Sequence, residues 1–128
     1  MSAQNEVGEA AEERPGFAVQ LQEDLPPADV RHVLLVFRAD LQRLTETLDR
    51  TITAFDAEGF RRTAHALAGA AGAVGAVALE DACRAAMLAV ADPGADGLAA
   101  CNDAIQAQAV LAAETVTVVL AKLDTAHG

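Results

Sequence analysis

The sequence predicts an all-α protein, an antiparallel four-helix bundle with a short additional N-terminal helix. Three observations carry that expectation. The apolar residues Val30, Val33 or Leu34, Phe37, Leu41, Leu44, Leu48, Ile52 and Phe55 follow one another at alternating spacings of three and four, the signature of a helix buried along one seam of a bundle. Leu25-Pro26-Pro27 and Asp92-Pro93-Gly94-Ala95-Asp96-Gly97 punctuate the chain as a helix stop and a turn. No segment reads as a strand with a credible partner, and no internal repeat appears. A chain of 128 residues makes one domain with a real core.

Taken in order, residues 1–16 mix Ser, Gln, Asn, Gly and acidic side chains, and they are expected to be a disordered lead-in to a domain over residues 17–125. Phe17 to Asp24 suits a short helix whose Phe17 and Leu21 close one end of the bundle. Pro27 suits the first turn of the long helix that follows, where its missing N–H is not needed. On that helix Arg31, Arg38, Asp40, Arg43, Glu46, Asp49 and Arg50 take the outer faces, and His32 reads as a surface residue. Asp56 is placed to cap the next helix, with Gly59 loosening its first turn. The segment after it offers Val77, Leu79, Ala82, Cys83, Ala86, Met87 and Val90 as an apolar face, with Glu80, Asp81 and Arg84 opposite. Beyond the turn, Leu98, Cys101, Ile105, Gln108, Leu111 or Ala112, Thr115, Val118 or Val119 and Leu123 trace a last long helix. Its β-branched run Thr115–Val119 locally prefers strand, a preference that packing overrides. Lys122, the only lysine, complements the dipole at that helix's end. His127 falls in the tail and has no role.

Composition excludes several functions. The net charge of −10 repels nucleic acid and anionic membrane, and it favours solubility. With four Phe and no Trp or Tyr, aromatic platforms for bases are scarce. Residues 1–13 lack the apolar core of an export signal, and the longest uncharged run, Thr63 to Leu79, is too short and too rich in Gly and Ala to span a bilayer. Cys83 and Cys101 have no metal-type spacing and read as reduced, buried thiols. A cytoplasmic protein follows from these signs. Ser2 is the only serine, and the carboxylates are scattered over outer faces, so neither a serine nucleophile nor an acid–base pair is indicated.

One residue does read as a site. If Phe60 to Ala76 is wound as a helix, Phe60, Ala64, Leu67, Ala71 and Val74 fall within roughly 40° of a common direction. His65 lies roughly 140° from that stripe and points to water. Arg61, Arg62, Ala68 and Gly69 are its neighbours one turn away, with Gly72 two turns on. Each glycine costs an exposed helix about 1 kcal/mol relative to alanine, which suggests that something must approach the imidazole closely. Imidazole titrates near neutrality, so one nitrogen can attack phosphorus while the other keeps its proton. Arg61 and Arg62 are placed to meet phosphoryl oxygens, or else they are simply a solvated face. Neither His32 nor His127 is placed as a second ligand for a metal or haem beside His65.

The run His65-Ala-Leu-Ala-Gly-Ala-Ala-Gly-Ala-Val-Gly75-Ala76 resembles the signature of histidine-containing phosphotransfer (HPt) domains, His-x-Leu-Lys-Gly-Ser/Ala-Ala-x-x-Leu/Val-Gly-Ala. The likeness continues to Leu79 and Cys83. It departs at the lysine three residues after the histidine, which is Ala68 here. The resemblance implies a helix ending near Val74, His65 as the phosphorylated residue, and Arg61, Arg62, Ala68, Gly69 and Gly72 as its phosphate-side or docking neighbours. It implies a carrier, not an enzyme, that moves a phosphoryl group between the aspartates of response-regulator and hybrid-kinase receiver domains. Mg²⁺ would then belong to the receiver, and this chain, expected to be a monomer, would need no metal or cofactor of its own. The alternative is a divergent module of the same fold that docks signalling partners without carrying phosphate.

Overall fold

The computed structural model describes residues 16–89 and 95–127. It contains helices α1 (Val19–Asp24), α2 (Pro27–Thr53), α3 (Ala57–Val74), α4 (Val77–Ala89) and α5 (Ala95–His127), and no strand among the described residues. Helix α2 packs on α3 and α5, and α4 packs on the same two helices. The four long helices therefore close a ring, with α3 and α5 diagonal across it. The predicted all-α bundle with a short N-terminal helix is what the chain forms. The expected disordered lead-in lies, apart from Gly16, outside the described residues.

Each boundary has a local cause. Pro27 opens α2, as its fixed φ allows. The predicted seam of α2 is buried at Val30, Leu34, Phe37, Leu41, Leu44 and Leu48. It fails at Phe55, which is 83% exposed. The helix has already ended there. Phe55 adopts a left-handed φ of 55°, its N–H donates to the Ile52 carbonyl, and the Asp56 N–H donates to the Thr51 carbonyl. This is a Schellman closure with a phenylalanine where glycine is usual. Periodicity alone extended the seam one turn too far, because it cannot see the chain reverse.

Helix α3 ends in the same closure with Gly75, at φ 76°, in the left-handed position. Here the N-terminal segment crosses over the turn. The Ala18 N–H donates to the Val74 carbonyl at 2.6 Å, and the Phe17 ring meets Phe37 edge-on, centroids 6.0 Å apart. Phe17 precedes α1 instead of starting it, yet it closes the bundle end as expected.

Helix α5 departs most from expectation. It begins at Ala95, inside the predicted turn; residues 92–94 of that turn lie outside the described residues. Its buried line is Asn102, Ile105, Ala109, Ala112, Val116 and Leu120, while Leu111 and Val118 are exposed. Of the two alternatives offered by periodicity, Ala112 and Val119 are the inward ones. A helix apolar on nearly every face gives periodicity little contrast to work on. Its register on α2 is pinned by polar groups instead. Asn102 Nδ2 donates to Asp49 Oδ1 at 2.8 Å, Gln106 Nε2 donates to the Thr45 carbonyl at 3.0 Å, and Arg31 pairs with Asp124. The residues run in opposite directions, so the two helices are antiparallel.

Gly97–Thr125, with a mean hydropathy of 1.5, is long and apolar enough to cross a membrane by length and composition. Its inner line is part of the bundle core. Cys83 is buried as expected, and burial pushes its thiol up to about 12, so it stays neutral near pH 7. Cys101 is only half-buried.

Candidate functional site

The site is built on α3. Asp56 caps the helix, its Oδ1 accepting the Gly59 N–H at 2.9 Å. A Cβ at residue 59 would collide with that carboxylate, so Gly59 makes room for the cap. It does not merely loosen the first turn. Thr63 Oγ1 donates back to the Gly59 carbonyl at 2.7 Å. Phe60, Ala64, Leu67, Ala71 and Val74 are all buried, which fixes the rotation of the helix. His65 faces solvent with Ala66, Gly69, Gly72 and Ala73, and no hydrogen bond joins it to another described residue.

The arginines differ. Arg61 is held by Glu58, its Nη2 donating to one carboxylate oxygen at 2.7 Å and its Nε to the other at 3.2 Å. That hydrogen bond is the main cause holding the Glu58 carboxyl below its usual range, with smaller help from the charges of Arg61 and Arg62. The Arg61 guanidinium is raised by the same bond. Arg62 is exposed, and its side chain makes no hydrogen bond to another described residue. It is the uncommitted cation of the pair, a difference invisible to spacing alone.

Ala68 departs from expectation. It was placed on the approachable face, but it is 1% exposed. It lies one turn from Gly72, and a Cβ there would sit 3.3 Å from the Glu80 carboxylate on α4. The flank of α3 at Ala68 therefore turns in towards α4, with the exposed Gly72 at the edge of that contact. A lysine at position 68 would have to thread out past that helix to reach solvent. Glu80 in turn holds Arg84, whose Nη2 and Nε donate to Glu80 Oε2 at 2.6 and 3.0 Å. One turn further along α4 stands Leu88, 80% exposed. Sequence reasoning passed over it, since an exposed leucine in an apolar segment carries no signal of its own.

Gly69 has nothing within 4 Å of where a Cβ would stand, so the space beside His65 is open. Gly69→Ala should stabilise the fold by about 0.5–1 kcal/mol through reduced unfolded-chain entropy, read as a rise in the melting temperature. Gly69→Gln should keep most of that gain; a loss of stability in either variant would contradict the solvent-facing phase. Among the described residues no group of three or more His, Cys, Asp or Glu is arranged to hold a metal ion.

An exposed helical histidine, flanked by open glycine on one side and two arginines on the other, can present a nucleophile to a partner without enclosing a reaction of its own. Comparison with known proteins gives one match. The family model of the Hpt domain covers residues 32–124, which takes in α2 from its second turn, all of α3 and α4, and nearly all of α5. No curated protein and no solved structure matches the chain. The matched span is most of the sequence and contains every site residue named above, so the chain belongs to the Hpt domain family of phosphotransfer modules.

Proposed function

We propose that this protein is a phosphoryl carrier whose His65 accepts phosphate from one receiver-domain aspartate and passes it to another. The observation that supports this most is the position of His65, exposed on the capped helix α3 with open space over Gly69. In the forward step the unprotonated imidazole nitrogen attacks phosphorus, a P–N bond forms, and the aspartyl O–P bond breaks to release the carboxylate. The return step is the reverse. The receiver supplies the acyl phosphate and Mg²⁺; this chain supplies the nucleophile and the surface that receives the partner. The phosphoryl group adds up to about two negative charges to a molecule that already carries −10, so nearby cations matter.

Arg62 is the cation free to serve, since Arg61 is tied to Glu58. Arg62→Gln should therefore slow transfer about tenfold and account for most of the loss in an Arg61→Gln/Arg62→Gln double variant. Equal rates in the single variant and wild type would assign the whole charge to the receiver. The carrier reading itself is tested by incubating the protein with receiver domains charged by acetyl phosphate. Transfer of phosphate to this chain in a form labile to acid and stable to base supports it. Binding of the receivers with no such transfer would favour the module that docks without carrying phosphate.

A further inference from the structure

Gly72 is an exposed glycine inside α3, and what stands beside it belongs to the neighbouring helix. A Cβ at residue 72 would sit 3.3 Å from the carboxyl carbon and both oxygens of Glu80. The glycine therefore lets the Glu80 carboxylate lie against α3. Glu80 holds Arg84 in turn, accepting from both Nε and Nη2 on the single oxygen Oε2. Arg61 is held differently, its two donors closing on both oxygens of Glu58. A two-oxygen fork is the tighter arrangement. Arg84 is the looser of the two paired arginines.

The approach of Gly72 to Glu80 also sets the register between the helices. Only Gly75 and Ala76 separate α3 from α4, so the two run antiparallel, and a step back along α3 matches a step forward along α4. One turn back from Gly72 is the buried Ala68, and one turn on from Glu80 is Arg84. Seven residues back from Gly72, within roughly 20° of the same line on the helix, is His65. Seven residues on from Glu80 is Met87, half-buried against the core. His65 thus stands at the α3–α4 edge, level with Met87 and beside the exposed Leu88. Arg84 is about 4–5 Å further along the axis, on a helix whose own axis lies about 8–10 Å across.

We infer that Arg84 is a phosphate-binding residue, the cation that α4 supplies to the phosphoryl group on His65, an assignment that rests on the carrier reading. Residues 66–76 contain no charged side chain, so α3 itself brings no cation to this side of the histidine. Arg62 approaches from one turn before His65, and Arg84 approaches from the other side, across the groove. In the free protein the guanidinium is parked on Glu80. A phosphohistidine offers up to about two negative charges and three acceptor oxygens, against the one oxygen that Glu80 gives. The guanidinium turns from Glu80 towards His65 once phosphate is in place.

The test measures phosphate uptake from a charged receiver and from phosphoramidate, a small donor that loses ammonia to the attacking imidazole and needs no docking. Arg84→Gln should slow uptake from both donors about fivefold, and Arg84→Lys should recover part of that loss. Glu80→Gln breaks the same ion pair but frees the guanidinium, so its uptake should equal or exceed that of wild type. All three variants should melt within about 3 °C of wild type, since an exposed pair at this spacing contributes little. If the pair is only a brace for α4, Glu80→Gln and Arg84→Gln will lose uptake alike, and that result would overturn the phosphate role. A wild-type rate for Arg84→Gln with phosphoramidate would overturn it too, and a loss confined to the receiver would mark Arg84 as a docking contact instead. Failure of wild type to take phosphate from either donor would overturn the carrier reading, and this inference with it.

Discussion

His65→Gln is expected to abolish phosphate uptake and leave the fold as it was. The side chain is exposed and makes no hydrogen bond among the described residues, so replacing it removes no buried surface and strands no described polar group. Substitutions of that kind fall within about 0.5 kcal/mol, and the melting temperature and helical circular dichroism should match wild type. Uptake, by contrast, should vanish altogether. His32 is exposed on α2, but it has none of the flanking features of His65, and a phosphoryl group there would have neither Arg62 nor the Gly69 opening beside it. Residual uptake in the variant, mapped to His32, would refute the assignment of the nucleophile while sparing that of the fold.

The largest effect on stability away from the central core should come from Gly75→Ala. Two costs combine. A left-handed conformation disfavours any Cβ by about 1–2 kcal/mol, and this Cβ would stand 2.7 Å from the Gly16 carbonyl. The N-terminal segment must then lift, weakening the Ala18–Val74 hydrogen bond and the seat of Phe17 on Phe37. Together these should remove about 2–4 kcal/mol, measured by urea unfolding. Gly75→Asn separates the two causes. Asparagine tolerates the left-handed region but carries the same Cβ, so it should lose nearly as much if crowding dominates. If it costs only a few tenths of a kcal/mol, conformation is the main cause and the crossing segment is more pliant than its contacts imply. Below its melting temperature the variant should still take up phosphate, because residue 75 lies two to three turns from His65.

The contrast between helices shows what can be read from sequence here. Helix α2 was legible because leucines and Phe37 on one face oppose arginines and aspartates on the other. The rotation of α3 was legible from five residues, Phe60 to Val74, and with it the exposure of His65. Four features were not, each for a physical reason. Ala68 is buried by α4, a neighbour that the geometry of a single helix cannot contain. The rotation of α5 is set by Asn102 and Gln106 reaching Asp49 and Thr45, polar contacts hidden among alanines and valines that fit any phase. Phe55 looks like one more core residue because its spacing is right, and only its own left-handed backbone, where the chain reverses, turns it outward. Likewise the two adjacent arginines were equivalent on paper, and the acceptor at Glu58 made them unequal.

The most direct measurement of the central claim is the position of the phosphate itself. After exchange with a charged receiver, the protein is digested under basic conditions that preserve phosphohistidine, and the modified peptide is sequenced by tandem mass spectrometry. Phosphate on His65, and on no other residue, is the expected result. Phosphate on His32, His127 or a carboxylate, or a chain that binds the receiver and remains unmodified, would contradict it.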